Sequence, residues 1–176
     1  MIQITPIGQV LAPSFDHPIE MLEACHDKVR HFTHQLAQLP AHLDQFGITD
    51  ATIQTIHGIL RYFDVAAPLH HADEEQNLFP ALLTVAPQYS PLIERLLAEH
   101  LELNMSWLVL REQLQTVQQG RAQALSRTRV QRFCRRYRLH ALDEENEVFT
   151  AAKDFLSATR LQELGQPMAA RRRSAV

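Results

Sequence analysis

Glycine is scarce in this chain of 176 residues, with five in all. So few glycines, beside abundant Leu, Ala, Gln, Glu and Arg, argue against a turn-rich sheet fold and favour helix. Cysteine is scarcer. Cys25 and Cys134 form no C-x-x-C pair and are too few for a disulfide framework, so they read as two buried thiols in a reducing cytosol. No apolar run approaches the roughly 18 residues that a membrane span requires. The first cation is Lys28, so the N-terminus lacks the charged region of a secretory signal. A cytoplasmic protein with no membrane partner is expected. Basic excess is lacking too: the formal charge is −3, and no sequence-wide positive field invites nucleic acid. What the chain has in excess is histidine, ten residues, and that excess is patterned.

The stretch from His70 to Phe79 reads H-H-A-D-E-E-Q-N-L-F, and the stretch from His140 to Phe149 reads H-A-L-D-E-E-N-E-V-F. Both fit H-x-x-x-E-E-x-x-φ-F, with φ apolar. An imidazole and a carboxylate four residues apart stand one turn apart on one face of a helix. The repeat extends upstream: Ile19, Glu20, Leu22, Ala24 and His26 match Ile93, Glu94, Leu96, Ala98 and His100 without a gap. The chain therefore reads as two copies of a helix pair, one helix with a lone histidine and one with H-x-x-x-E-E.

Punctuation along the chain delimits the helices. Residues 1–15, with Pro6, Gly8 and Pro13, read as an extended arm. A first helix starts near Asp16-His17-Pro18, with Asp as cap, and stops before Pro40. Thr49 or Asp50 caps a second, which continues past Pro68 to about Leu83 with a kink before His70, because Pro68 cannot donate to the Asp64 carbonyl. Ser90 caps a third, closed by Gly120. Ser126 opens a fourth that reaches Phe155, and Ser157 caps a short fifth over about 157–172. The tail from Arg171 to Val176 is expected to fray. The fold class is all-α: a single domain over 1–176 whose up-down-up-down four-helix bundle spans about 16–155. Leu22, Val29, Thr33 and Leu36 share a face with His26, and Leu96, Leu97, Leu103 and Trp107 surround His100, so these histidines point into the core. One more apolar stripe would allow a homodimer.

Four helices thus each contribute an inward histidine, and two add a carboxylate. Burying Glu74 and Glu144 unpaired costs several kcal/mol each, about what a metal ion would compensate. The alignment of Phe79 with Phe149 pairs His70/Glu74 with His140/Glu144 and leaves His71 and Glu75 at the edge of the site or behind its ligands. Glu145 stays a rival to Glu144. Four imidazoles and two carboxylates exceed what one tetrahedral zinc uses. Two iron ions, each with two histidines, spanned by both glutamates and an oxo or hydroxo group, use every ligand. Ferritin-type di-iron bundles use Glu-x-x-His, the reverse order at a shorter spacing, and are disfavoured.

The order H…H-x-x-x-E…H…H-x-x-x-E on four helices resembles the hemerythrin-like, or HHE cation-binding, domain over about residues 16–155. The run H-x-x-x-E-E-x-x-L-F-P ending at Pro80 is the most specific part of the likeness. The resemblance implies a four-helix bundle with a non-haem di-iron centre that meets O₂, NO or peroxide. It puts the family's ligand positions on His26, His70, Glu74, His100, His140 and Glu144. Oxygen-carrying members have a fifth histidine one turn after the third-helix ligand. Here that position is Asn104, which implies two histidines per iron, as in proteins implicated in repairing iron–sulfur centres. The function expected is O₂ or NO binding in sensing, scavenging or stress protection. The alternatives are an enzyme that repairs iron centres or turns over peroxide or NO, and a zinc-bound helical interaction module. Around the site, Tyr137 is a hydrogen-bond or proton donor or else a packed tyrosine. Glu23 is an extra carboxylate or a surface partner of Arg30. Phe63 and Phe133 wall the pocket.

Overall fold

On every long segment the apolar residues fall into two groups with a histidine between them, and the fold stacks these groups into two separate cores. The computed structural model describes residues 14–174, so nearly all of the expected N-terminal arm lies outside the described residues. Five helices follow: α1 (Pro18–Phe46), α2 (residues 50–85), α3 (Ser90–Gln118), α4 (residues 127–155) and α5 (Ala158–Ser174). Among the described residues there is no strand. Helix α1 packs on α2 and α4, α3 packs on the same two, and α5 lies against α1 and α2. This is the all-α bundle with an added C-terminal helix. No helix among the described residues is long and apolar enough to cross a membrane.

One core holds Val29, Leu36 and Leu43 of α1, Ile56, Ile59 and Phe63 of α2, Trp107 and Leu114 of α3, and Val130 and Phe133 of α4. The other holds Ile19 and Leu22, Leu78 and Leu82, Ile93 and Leu96, and Val148 and Phe149, and is capped by Leu164 and Met168 of α5. On each bundle helix the ligand-type residues His26, His70/Glu74, His100 and His140/Glu144 come between the two sets. The result is a polar layer sealed above and below by hydrocarbon.

The local signals explain most boundaries. Thr49 and Thr52 form a reciprocal capping box at the start of α2. Ser126 Oγ accepts from the Arg129 N–H, and Ser157 Oγ from the Arg160 N–H. Gly120, at φ 70°, closes α3 by donating to the Val117 carbonyl. Several expectations need correction. Helix α1 does not stop before Pro40; it runs on to Phe46 and ends at Gly47, whose φ is 68°. Pro40 forfeits one backbone bond, and burial of Leu39, Pro40 and Leu43 offsets that loss. Asp16 does not cap α1: His17 holds the cap position without a side-chain bond, and Asp16 pairs with Ser14 instead. Ser90 lies inside α3 and bonds Glu94. Leu97 turns outward with Leu101, Met105 and Leu108. Nor does the basic tail fray up to Ser174, since α5 continues through Pro167 and docks its arginines on α2.

The irregularity anticipated before His70 is a wide π turn over Tyr62–Ala66, in which the Ala67 N–H donates to the Tyr62 carbonyl. A second π turn, Glu74–Leu78, precedes Pro80, with the Phe79 N–H on the Glu74 carbonyl. Each thus lies just upstream of a proline, whose missing N–H frees a carbonyl and favours the shifted pairing. A third, Glu144–Phe149, interrupts α4 at the equivalent place with no proline.

Candidate metal centre

Two of the three π turns begin at Glu74 and at Glu144, the two carboxylates of the repeat. Regular helix leads each histidine in, and the widened turn begins where the carboxylate must stay in the layer. All six residues of the repeat are sealed from solvent, none more than 3% exposed.

Their inward atoms converge. Glu144 Oε1 lies 3.1 Å from His140 Nε2 and 3.3 Å from His100 Nε2, and its Oε2 lies 3.2 Å from His26 Nε2. Glu74 reaches His70 Nε2 at 3.4 Å and His100 Nε2 at 3.7 Å. Yet hydrogen bonding does not satisfy the layer. His26 Nε2, both nitrogens of His70, both oxygens of Glu74, His140 Nε2 and Glu144 Oε2 are buried without a hydrogen-bond partner. Buried polar atoms are seldom left so, and a cluster of them is costlier than any one. Imidazole nitrogens and carboxylate oxygens that face one another without hydrogen bonds are a donor set for a cation, and this mixture suits a divalent transition metal. His26, His70, Glu74 and Glu144 each offer an atom within 4.8 Å of the others, and so do His71, His100 and His140.

On three of the four histidines the outward nitrogen is engaged. His26 Nδ1 lies 2.9 Å from Glu145, His100 Nδ1 2.7 Å from Glu75, and His140 Nδ1 2.9 Å from Glu99. Each carboxylate fixes its ring and leaves Nε2 facing the layer. Arg30 also donates to Glu145, and Arg95 to Glu99 and Asp143.

The electrostatics show how this layer is charged without a cation. Burial and the nearby Glu144 charge push Glu74 well above the usual carboxyl range. Burial also acts to raise Glu144, but His140, His100 and His26 outweigh it and hold that carboxyl well below its usual range. Burial and the neighbouring His26 press His70 far down. Burial would lower His100 too, but its contacts with Glu144 and Glu75 raise it to about 9. Binding a cation displaces such protons.

Around the layer, Glu145 stands behind His26 and bonds its Nδ1, whereas Glu144 sits among the imidazoles. Glu75 stands behind His100, while His71 stacks on the His100 ring at 3.9 Å. Glu23 turns away to Lys153; Arg30 takes Asp27 and Glu145 instead. The Tyr137 hydroxyl is 2.8 Å from His71 Nε2, and burial pushes its pKa well up. A cavity of about 270 Å³ opens beside His71 and His100, with Phe63, Trp107 and Phe133 among its walls and Asn104 at its edge.

Sequence reasoning missed Glu99 and Asp73. Glu99 adjoins His100 and carries no periodic signal, because its partner His140 is on another helix. Asp73 is fully buried under Arg171 and Arg172 of α5, and Arg171 also reaches Gln76 and Asn77. The only hint was the acidic run Asp73-Glu74-Glu75.

Two comparisons bear on this geometry. Residues 17–152 match the family model described as the hemerythrin HHE cation-binding domain. An uncharacterized protein of Haemophilus influenzae is 40% identical over 168 residues, covering 93% of this chain and 97% of the relative. The matched span begins just before α1 and ends within α4, so it takes in the whole polar layer, and this chain belongs to the hemerythrin HHE cation-binding family.

Proposed function

We propose that the polar layer holds two iron ions and that the protein binds O₂ or NO there, in sensing, scavenging or protection against oxidative and nitrosative stress. The observation that carries this reading is the set of buried, partnerless imidazole and carboxylate atoms facing one another across four helices. The rings fall into two pairs: His26 with His70, and His100 with His140, each with centroids 4.7 Å apart. In this reading each pair would hold one iron, with Glu74 and Glu144 as the carboxylate ligands between them. A bound iron pair supplies the redox chemistry that a diatomic ligand meets.

The chain's own residues do the rest. Glu145, Glu75 and Glu99 orient three of the imidazoles. Phe63, Trp107 and Phe133 give the adjoining cavity hydrocarbon walls, which admit a small apolar diatomic and disfavour water and anions. Phe149 stacks on His26 at 5.3 Å and seals the opposite flank.

The test is elemental analysis of protein produced in iron-supplemented medium, with its visible spectrum and O₂ and NO titrations of the reduced form. Two irons per chain, near-ultraviolet charge transfer of a bridged ferric pair, and spectral change on adding gas are expected. One zinc per chain, or no metal after loading, sinks the proposal and leaves a helical interaction module. Multiple turnovers of NO or peroxide with a reductant would instead establish an enzyme.

A further inference from the structure

The two carboxylates of the layer are held in place by different means. Three imidazole nitrogens stand within 3.3 Å of Glu144, one each from His26, His100 and His140. Glu74 has no such collar. Both its oxygens lack a hydrogen bond, and imidazole nitrogens come no nearer than 3.4 Å for His70 and 3.7 Å for His100. Contacts inside the layer therefore aim Glu144, whereas the place of Glu74 is set by the backbone that carries it. That backbone is the π turn Glu74–Leu78.

One guanidinium holds this turn from outside the layer. Arg171 of α5 donates to Asp73, to Gln76 Oε1 at 2.8 Å and to Asn77 Oδ1 at 3.0 Å. It thus takes the residue before Glu74 and two residues within the turn. A planar fork of donors can serve several acceptors at once, which a lysine ammonium does less well. Arg172 adds an ion pair to Asp73 at 2.6 Å and is itself seated over the Phe15 ring at 4.7 Å. The internal repeat supplies a comparison. Asp143 precedes Glu144 as Asp73 precedes Glu74, yet the Asp143 side chain is 41% exposed and pairs with Arg95, while that of Asp73 is 1% exposed. Helix α5 has no counterpart in the repeat, and its arginines dock on the turn whose carboxylate lacks a collar.

From this arrangement we infer that Arg171 is a positioning residue for Glu74, so that the docking of α5 sets how tightly the layer holds its metal. The inference rests on the paired-metal reading above and adds a control from outside the layer. Such coupling is reciprocal: if docked Arg171 tightens metal binding, bound metal tightens the docking of α5 by the same factor.

The experiment uses the full chain, Arg171→Ala, Arg171→Lys and Met168→Ala, the last of which thins the buried apolar packing of α5 and leaves Arg171 intact. Iron(II) affinity is measured under argon by competition against a calibrated chelator, and amide hydrogen exchange of α5 with and without iron. Arg171→Ala is expected to bind iron about 10-fold more weakly, the lower end of what a group behind a ligand contributes. Arg171→Lys should fall between it and the unsubstituted chain, and Met168→Ala should bind as the unsubstituted chain does. Iron should slow α5 exchange by a similar factor in the unsubstituted chain and leave it unchanged in Arg171→Ala. Full affinity in Arg171→Ala, or an equal loss in Met168→Ala, overturns the inference, while two irons per chain keep the paired-metal reading intact. Exchange of α5 that ignores iron in the unsubstituted chain overturns it as well. An unsubstituted chain that binds fewer than two irons overturns both.

Discussion

His140 on α4 and Glu99 on α3 meet through Nδ1 and Oε2 at 2.9 Å, so a ring on one helix is aimed by a carboxylate on its neighbour. Glu99 is itself held by Arg95, which also bonds Asp143 of α4. Removing such a partner typically costs about 10–100-fold in metal affinity. Glu99→Ala is expected to weaken iron binding by about that factor, with helical content unchanged. Competition against a calibrated chelator checks it, and unaltered affinity would deny Glu99 an orienting role.

Glu74 presents two fully buried oxygens with no hydrogen bond. In the metal-free protein this is a burden of about 1–3 kcal/mol, the usual desolvation penalty of an unsatisfied buried group. Glu74→Met should therefore raise the metal-free unfolding free energy by about that amount, while losing the stabilisation that iron gives the unsubstituted chain. Urea titrations with and without iron measure both. A metal-free Glu74→Met that is less stable than the parent contradicts the argument.

Asp73 is buried between Arg171 and Arg172, which join the end of α5 to the turn that starts at Glu74. Breaking a buried pair by removing one side costs about 3–5 kcal/mol. The arginine side chains keep 18% and 24% exposure, so the loss for Arg171→Ala with Arg172→Ala belongs near the lower bound. Adding Asp73→Asn should recover part of it, because no charge is then stranded. Chemical denaturation of the three chains decides; a double arginine variant as stable as the parent would show that α5 is not fastened there.

Cys134 is buried and donates to the Thr33 carbonyl, and burial pushes its thiol from 9.0 up to about 12. The folded chain then holds this proton more tightly than the unfolded chain. The contribution is fully present below pH 9 and is lost progressively as pH rises from about 9 to about 12. Cys134→Ser removes the titration and keeps a hydroxyl for Thr33. The stability difference between parent and variant should shift in favour of the variant over that window. A difference that stays constant from pH 8 to pH 12 would count against it.

How far the sequence discloses the protein depends on whether a feature is local or crosses between helices. The H-x-x-x-E pairs, the Thr49 box and the Gly120 stop are contained within one or two turns, and each is where its spacing puts it. The repeat also brings out the polar layer, since a lone histidine flanked by apolar residues recurs on all four bundle helices. Five of the ten histidines converge on that layer, which accounts for the compositional excess. What is not legible is the partner on another helix: Glu99 for His140, Arg171 for Asp73, Lys153 for Glu23. Pro40 misleads for a related reason. Local chemistry says stop, and packing by Leu39 and Leu43 overrides it.

The three π turns all fall on α2 and α4, whereas α1 and α3 pass the polar layer as regular helix. A widened turn pairs its carbonyls with N–H groups five residues on instead of four, which inserts an extra residue into that turn. The bundle thus pairs two regular helices with two interrupted ones. A change in the size or charge of whatever the layer holds is expected to be taken up at Glu74–Leu78 and Glu144–Phe149 before it reaches the apolar cores above and below.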